Sequence, residues 1–230
     1  MITKEEIEWL NHNFPDLQVN NESNVIEGTV WFNSVYDKVA NEFTAFPKPG
    51  VVYAGEMFAG KYEVKITKSD KKRRVPELQV FIDQSKWIPN RHFYDIGYGK
   101  ACVAGPVEED NLFTRYSFYE YFERFVIQFL YAQSYFDKHG KWPWFAYAHN
   151  AAGILESFSK SEKTKSQTLA CLKRLKANRR WDEVRSILGG RFDGKKCLCG
   201  SKSMLNKCHA NLVWVARDFC NTAKGYGINI

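Results

Sequence analysis

The chain has no long apolar run: nowhere in its 230 residues do apolar side chains continue for the roughly 18 residues that a bilayer-spanning helix requires. A membrane protein is therefore not expected. The opening Met1-Ile2-Thr3-Lys4-Glu5-Glu6 is charged and lacks the apolar stretch of a secretory leader, so the expected location is cytoplasmic, without a signal peptide. Cysteine is scarce: six residues are too few for a disulfide-built scaffold of this length. Three of them crowd between 197 and 208, which points to metal binding in a reducing compartment. Internal repeats and low-complexity tracts are also absent, and with them the repeat architectures.

What is present argues for a packed α+β protein. Hydrophobic residues make up 44% and aromatic ones 16%, enough for a real core and against disorder. The net charge of +7 is uneven. Residues 161–196 hold eleven Lys or Arg against four Asp or Glu, which accounts for the whole excess. Such a basic stretch suggests an acidic protein partner or nucleic acid, with a solvated helical face as the plainer alternative.

Thr3-Lys4-Glu5-Glu6 is a capping box, and Ile7, Leu10 and Phe14 follow at helical spacing. A helix over 3–12 is predicted, closed by Pro15. From Val25 the pattern turns to strands: 25–36, then Val51-Val52-Tyr53 with Met57-Phe58, then 62–66, then 78–82. Short connections between the four predict an antiparallel meander. Ser117-Phe118-Tyr119-Glu120 is a second capping box and opens a long helix to about Lys138, with His139-Gly140 as its stop. The aromatic stripe on that helix reads as core. Two or three further helices are predicted over 149–158 and 164–188, ended by Gly189-Gly190.

Between the strands and the long helix lies Arg91-His92-Phe93-Tyr94-Asp95-Ile96-Gly97-Tyr98-Gly99-Lys100-Ala101-Cys102. Acyl transfer through a thioester needs a thiolate on an accessible loop, near groups that steady the oxyanion and orient the incoming amine. The glycines at 97, 99 and 105 allow a tight loop and close backbone approach. A buried structural cysteine is the alternative. The His-to-Cys spacing of ten, with Gly99 three before the cysteine, resembles the active-site stretch of ubiquitin-conjugating enzymes, written His-Pro-Asn, Gly, two residues, Cys. Phe93 and Tyr94 replace the family's Pro and Asn, and that Asn is the oxyanion-supporting residue. Bacterial relatives in anti-phage operons carry a similar short form.

The resemblance implies catalytic residues Cys102, His92, Asp95 and Tyr94. Cys102 would accept a ubiquitin-like protein, His92 would hold the loop, Asp95 would position or deprotonate the acceptor amine, and Tyr94 would stand in for the missing Asn. It also implies partners: a ubiquitin-activating-like enzyme, the C-terminus of a ubiquitin-like protein or cyclic-nucleotide synthase, and a protein amine as acceptor. A relative without activity, serving as an adaptor, is the alternative.

Near the C-terminus stand Cys197-Leu198-Cys199-Gly200-Ser201 and, six residues later, Lys207-Cys208-His209. Two close pairs of soft ligands joined by a short loop are what tetrahedral zinc requires. The metal ligands expected are Cys197, Cys199, Cys208 and His209, with Zn(2+) as cofactor. The pattern is similar to the SEC-C motif, a zinc-binding tail found on unrelated proteins. Cys171 and Cys220 read as ordinary helix cysteines. The sequence thus reads as a ubiquitin-conjugating-like transferase over 1–138, with a four-stranded meander and flanking helices, and a helical zinc-tailed extension over 139–230. A zinc-tailed nucleic-acid-binding protein is a further alternative.

Overall fold

The structure, a computed structural model, describes residues 2–68, 76–82, 92–95, 98–105, 107, 116–144 and 147–230. The chain divides into two compact units, Met1–Ala104 with Asn111–Phe145 and Gly105–Asp110 with Ala146–Ile230.

The first unit is α+β. Helix α1 (Lys4–Asn13) begins at Thr3, whose hydroxyl accepts from the Glu6 N–H while the Glu6 carboxylate accepts from the Thr3 N–H at 2.8 Å. This is the reciprocal box that the sequence predicts. Glu6 is buried, and Lys68 Nζ donates to its Oε1 at 2.7 Å, so the charge is not left unpaired. Leu10 and Phe14 enter the core, each worth roughly 1.5–3 kcal/mol of burial.

Seven strands follow: β1 (Leu17–Asn20), β2 (Val25–Asp37), β3 (Glu42–Thr44), β4 (Glu56–Thr67), β5 (Glu77–Phe81), β6 (Phe93–Asp95) and β7 (Lys100–Ala101). They form one sheet in the order β1-β2-β4-β5-β7-β6, with β3 beside β2, and every pairing is antiparallel. The β2–β4 ladder is its spine, in register from Val25 opposite Thr67 to Tyr36 opposite Glu56. Ile26, Val30, Val64, Ile66, Leu78 and Val80 are buried at alternate positions, while Trp31 and Phe81 remain exposed.

The sheet is larger than the four strands expected, and one expected strand is missing. Val51-Val52-Tyr53 is not a strand. Its two valines are exposed, Val52 at 96%, and β-propensity without a neighbouring strand or core yields no strand. Met57-Phe58 and Tyr62–Ile66, expected in two strands, belong to the single strand β4. The added members β1, β3, β6 and β7 have four, three, three and two residues, too short to show an alternation of their own.

Helix α2 spans 118–139 and changes its winding on the way. It is α-helical over Phe118–Tyr121, π-helical over Phe122–Ile127 and α-helical again over Gln128–His139. Ser117 and Glu120 form the second capping box. The π-turn buries Phe122, Phe125, Val126 and Ile127, and the α-helical turns after it bury Phe129, Leu130, Tyr131 and Ala132. Trp9 meets Phe14, Phe118 and Phe122 edge-on, at 5.6, 6.4 and 5.6 Å between ring centres. Gly140, at φ +66°, closes the helix at the stop expected from His139-Gly140.

In the second unit α3 (Asn150–Ser159), α4 (Lys165–Lys176), α5 (Trp181–Leu188), the short α6 (Leu205–Cys208) and α7 (Leu212–Gly225) surround a core of Leu155, Phe158, Leu172, Ile187, Val215 and Phe219. Phe158 and Phe219 meet edge-on at 5.0 Å. Thr164 and Gln167 cap α4 reciprocally. Among the described residues no helix is long and apolar enough to cross a membrane.

Gly99 offers a test of the sheet's far side. Its φ is +64°, and a Cβ there would lie 2.5 Å from the Val80 carbonyl oxygen, while its own carbonyl accepts from the Val80 N–H at 2.9 Å. Gly99→Ala should lower the urea unfolding midpoint of the first unit by an amount worth roughly 1–3 kcal/mol. Gly140→Ala, with positive φ but nothing within 4 Å, should cost clearly less. Equal midpoints would remove the close approach as the cause.

Candidate functional site

Strands β6 and β7 form a narrow hairpin, with Phe93 opposite Ala101 and Asp95 opposite Lys100, and a register shift between. One residue beyond that ladder the Cys102 N–H donates to the His92 carbonyl at 2.7 Å. The ten-residue spacing is thus the distance around one hairpin, and it brings the two backbones together at its base. His92 adopts φ +57°, rare for a residue with a side chain, and its ring lies edge-on to Trp142 at 4.7 Å. Cys102 is half-buried, and its Sγ lies 3.7 Å from the Ala104 carbonyl oxygen.

Tyr98 is 72% exposed. Tyr94 and Asp95 lie in β6, and their side chains fall outside the described residues, as do Gly97, Ile88-Pro89 and the acidic 108–110 segment. No sequence pattern singles out Trp142. It lies fifty positions from His92, and nothing local ties the two.

The metal group is built by one strand-like turn and one short helix. Cys197 donates its N–H to the Ser203 carbonyl at 2.9 Å, Leu205 donates to the Lys195 carbonyl at 2.9 Å, and Lys196 faces Met204 as an isolated bridge. The chain doubles back at Gly200, whose φ is +93°. α6 then carries Cys208 to the same place, and His209 follows it. The four ligand atoms lie within 4.8 Å of one another. Cys197 Sγ is 3.1 Å from His209 Nδ1, Cys208 Sγ is 3.2 Å from it, and the Cys199 and Cys208 sulfurs are 3.6 Å apart. A tetrahedral ion with thiolate bonds of about 2.3 Å and an imidazole bond of about 2.0 Å needs edges of about 3.5–3.8 Å. The group fits a metal ion with little movement.

Neighbours hold these ligands in place. Asn150, at φ +58°, donates Nδ2 to the Cys199 carbonyl at 2.9 Å and occupies the space a Gly200 side chain would need. Arg180 donates Nη1 to the Cys197 carbonyl at 2.9 Å while its Nε pairs with Glu183 at 3.0 Å. The Ser201 N–H points to Cys199 Sγ at 3.4 Å, and its hydroxyl lies 3.2 Å from Cys208 Sγ. Burial pushes the Cys197 thiol up to about 12. Burial also works to raise Cys199, but hydrogen bonds from Ser201, together with those from Cys197 and Cys208, hold that thiol below its ordinary value.

Asn150→Gly keeps the left-handed backbone and removes the clamp. It should weaken metal binding about 10–100-fold, read by competition with a chelating dye. An unchanged affinity would show that the amide does not position the turn.

Outside this group, burial pushes the Cys171 thiol up to about 12 and raises that of Cys220, which points to the Leu188 carbonyl at 3.3 Å. Both are packing residues. The chain matches no protein-family model, no curated protein and no solved structure.

Proposed function

We propose that the chain is a ubiquitin-conjugating-like transferase whose chemistry resides on Cys102. The observation that carries the reading is the hairpin base. A half-buried thiol follows β7 directly, and its backbone is held by His92, whose ring is occupied by Trp142. That arrangement supports a loop-holding part for His92 and the part of nucleophile for the sulfur. In the first step the Cys102 thiolate attacks the C-terminal carbonyl of a ubiquitin-like protein or cyclic-nucleotide synthase held as a thioester on the activating enzyme. The new C–S bond forms as the old one breaks, and the activating enzyme's cysteine leaves as its thiolate. In the second an amine nitrogen of the acceptor protein attacks that carbonyl carbon. The C–S bond breaks, the thiolate leaves, an amide forms, and the amine proton passes to a base, for which Asp95 is proposed. Tyr94 is proposed as oxyanion donor in place of the family's Asn.

The metal is proposed to be zinc. With four protein ligands and no open position, its chemistry is that of a structural crosslink rather than of a Lewis acid. The test is a charging assay: the purified chain, the cognate activating enzyme, ATP and the ubiquitin-like protein, read on a non-reducing gel. A thiol-sensitive adduct is expected. Its absence with an activating enzyme that charges itself would replace the transferase by the adaptor reading.

A further inference from the structure

The second unit carries a surface that the transfer chemistry does not use. Between 146 and 230 stand sixteen Lys or Arg and only six Asp or Glu. At least half of those carboxylates are engaged internally: Glu156 accepts the Ala148 N–H at 2.8 Å, Glu183 pairs with Arg180, and Asp218 pairs with Lys163 at 2.9 Å. The cations remain in large excess.

One of those cations lies a helical turn from an exposed indole. Trp214 on α7 is 64% exposed and makes no ring contact among the described residues. One helical turn on, the Arg217 guanidinium lies 5.4 Å over the ring of Phe192, and the Phe192 carbonyl in turn accepts the Lys195 N–H at 3.2 Å. Those contacts set the exposed side of α7 beside the loop that bears Arg191, Lys195 and Lys196, of which Arg191 and Lys196 are exposed. Leaving a tryptophan in water gives up its burial energy, and cations crowded together repel. Both costs are met by one ligand chemistry, a chain of phosphates with flat unpaired rings. Phosphates release counterions as they meet the cations, and a base stacks on the indole.

We infer that the second unit binds single-stranded nucleic acid, with phosphates along Arg191, Lys196 and Arg217 and a base on Trp214. An acidic protein segment would satisfy the charges but would have no use for the ring. A duplex would offer the charges but keep its bases stacked away from it.

The experiment uses the full chain and a fluorescently labelled oligothymidine of about twenty nucleotides, followed by anisotropy over a salt series. Binding at low salt should weaken with rising salt. Trp214→Ala should weaken it about ten-fold or more with the salt slope kept. Arg191→Gln with Lys196→Gln should flatten the slope by roughly 0.7 for each phosphate no longer neutralised. Circular dichroism should match the parent in each variant, since all three residues are exposed. Cys102→Ala should bind like the parent, so this inference stands or falls apart from the thioester reading. No binding at low salt overturns it. Polyglutamate binding as tightly, with Trp214→Ala silent, would assign the surface to an acidic protein. Equal binding of a duplex with Trp214→Ala silent would also overturn the stacking of an unpaired base.

Discussion

Cys199→Ser should empty the metal group and unfold the second unit, with the first unit left standing. The four ligands come from two short pieces of chain, 197–199 and 208–209, joined by the Lys196–Met204 bridge, a few backbone bonds and the side chains of Asn150, Arg180 and Ser201. Those pieces and the turn between them supply Cys197, Leu198 and Leu205 to the same core as Phe158 and Phe219. Structural zinc contributes on the order of 10 kcal/mol of apparent folding free energy in small domains. That is comparable to the whole stability of a domain, about 5–15 kcal/mol, so a unit of this size would not survive its loss. The expected observations are one zinc per chain in protein purified without chelators and none in Cys199→Ser. Hydrogen exchange should become fast across α3 and α7 but stay slow across β2 and β4. Metal-free wild type with slow exchange throughout would sink the claim.

The second large effect is on chemistry. Cys102→Ala should abolish the thiol-sensitive adduct outright, because no other thiol is offered in its place: Cys171 and Cys220 are raised by burial and the remaining three belong to the metal group. Cys102→Ser should convert the adduct to an oxygen ester that survives reductant, the usual consequence of exchanging a sulfur leaving group for a poorer one. His92→Ala should behave differently. It removes the ring that rests on Trp142 and places an alanine at φ +57°, so it should reduce charging severalfold and lower the melting temperature together. An adduct retained in Cys102→Ala would move the chemistry elsewhere. Full loss of charging in His92→Ala with unchanged stability would give His92 a direct part in the reaction.

What the sequence made legible was set by local rules. The boxes at Thr3 with Glu6 and Ser117 with Glu120 start their helices where the side chains say they should, since capping is settled within four residues. The metal group was legible for the same reason: its ligands come in close pairs, and a tetrahedron restricts the loop between them. Val51 and Val52 misled because branching favours an extended backbone whether or not a partner strand exists. The short strands β6 and β7 are made by each other and by β5, not by their own composition. Asn150 and Arg180 reach the metal loop from forty-nine and seventeen residues away, and nothing local marks them.

The π-turn at Phe122–Ile127 bears on how this gene can change length. A π-turn holds one residue more than the α-helical path it replaces. Deleting one residue of that turn should therefore restore regular winding with the downstream turns kept in phase, so Phe129, Leu130 and Tyr135 would still cover the sheet. A deletion in the α-helical turns after it has no such slack and would rotate everything beyond it by about 100°. Descendants of this chain are thus expected to tolerate the loss of one residue within 122–127 but not within 128–139.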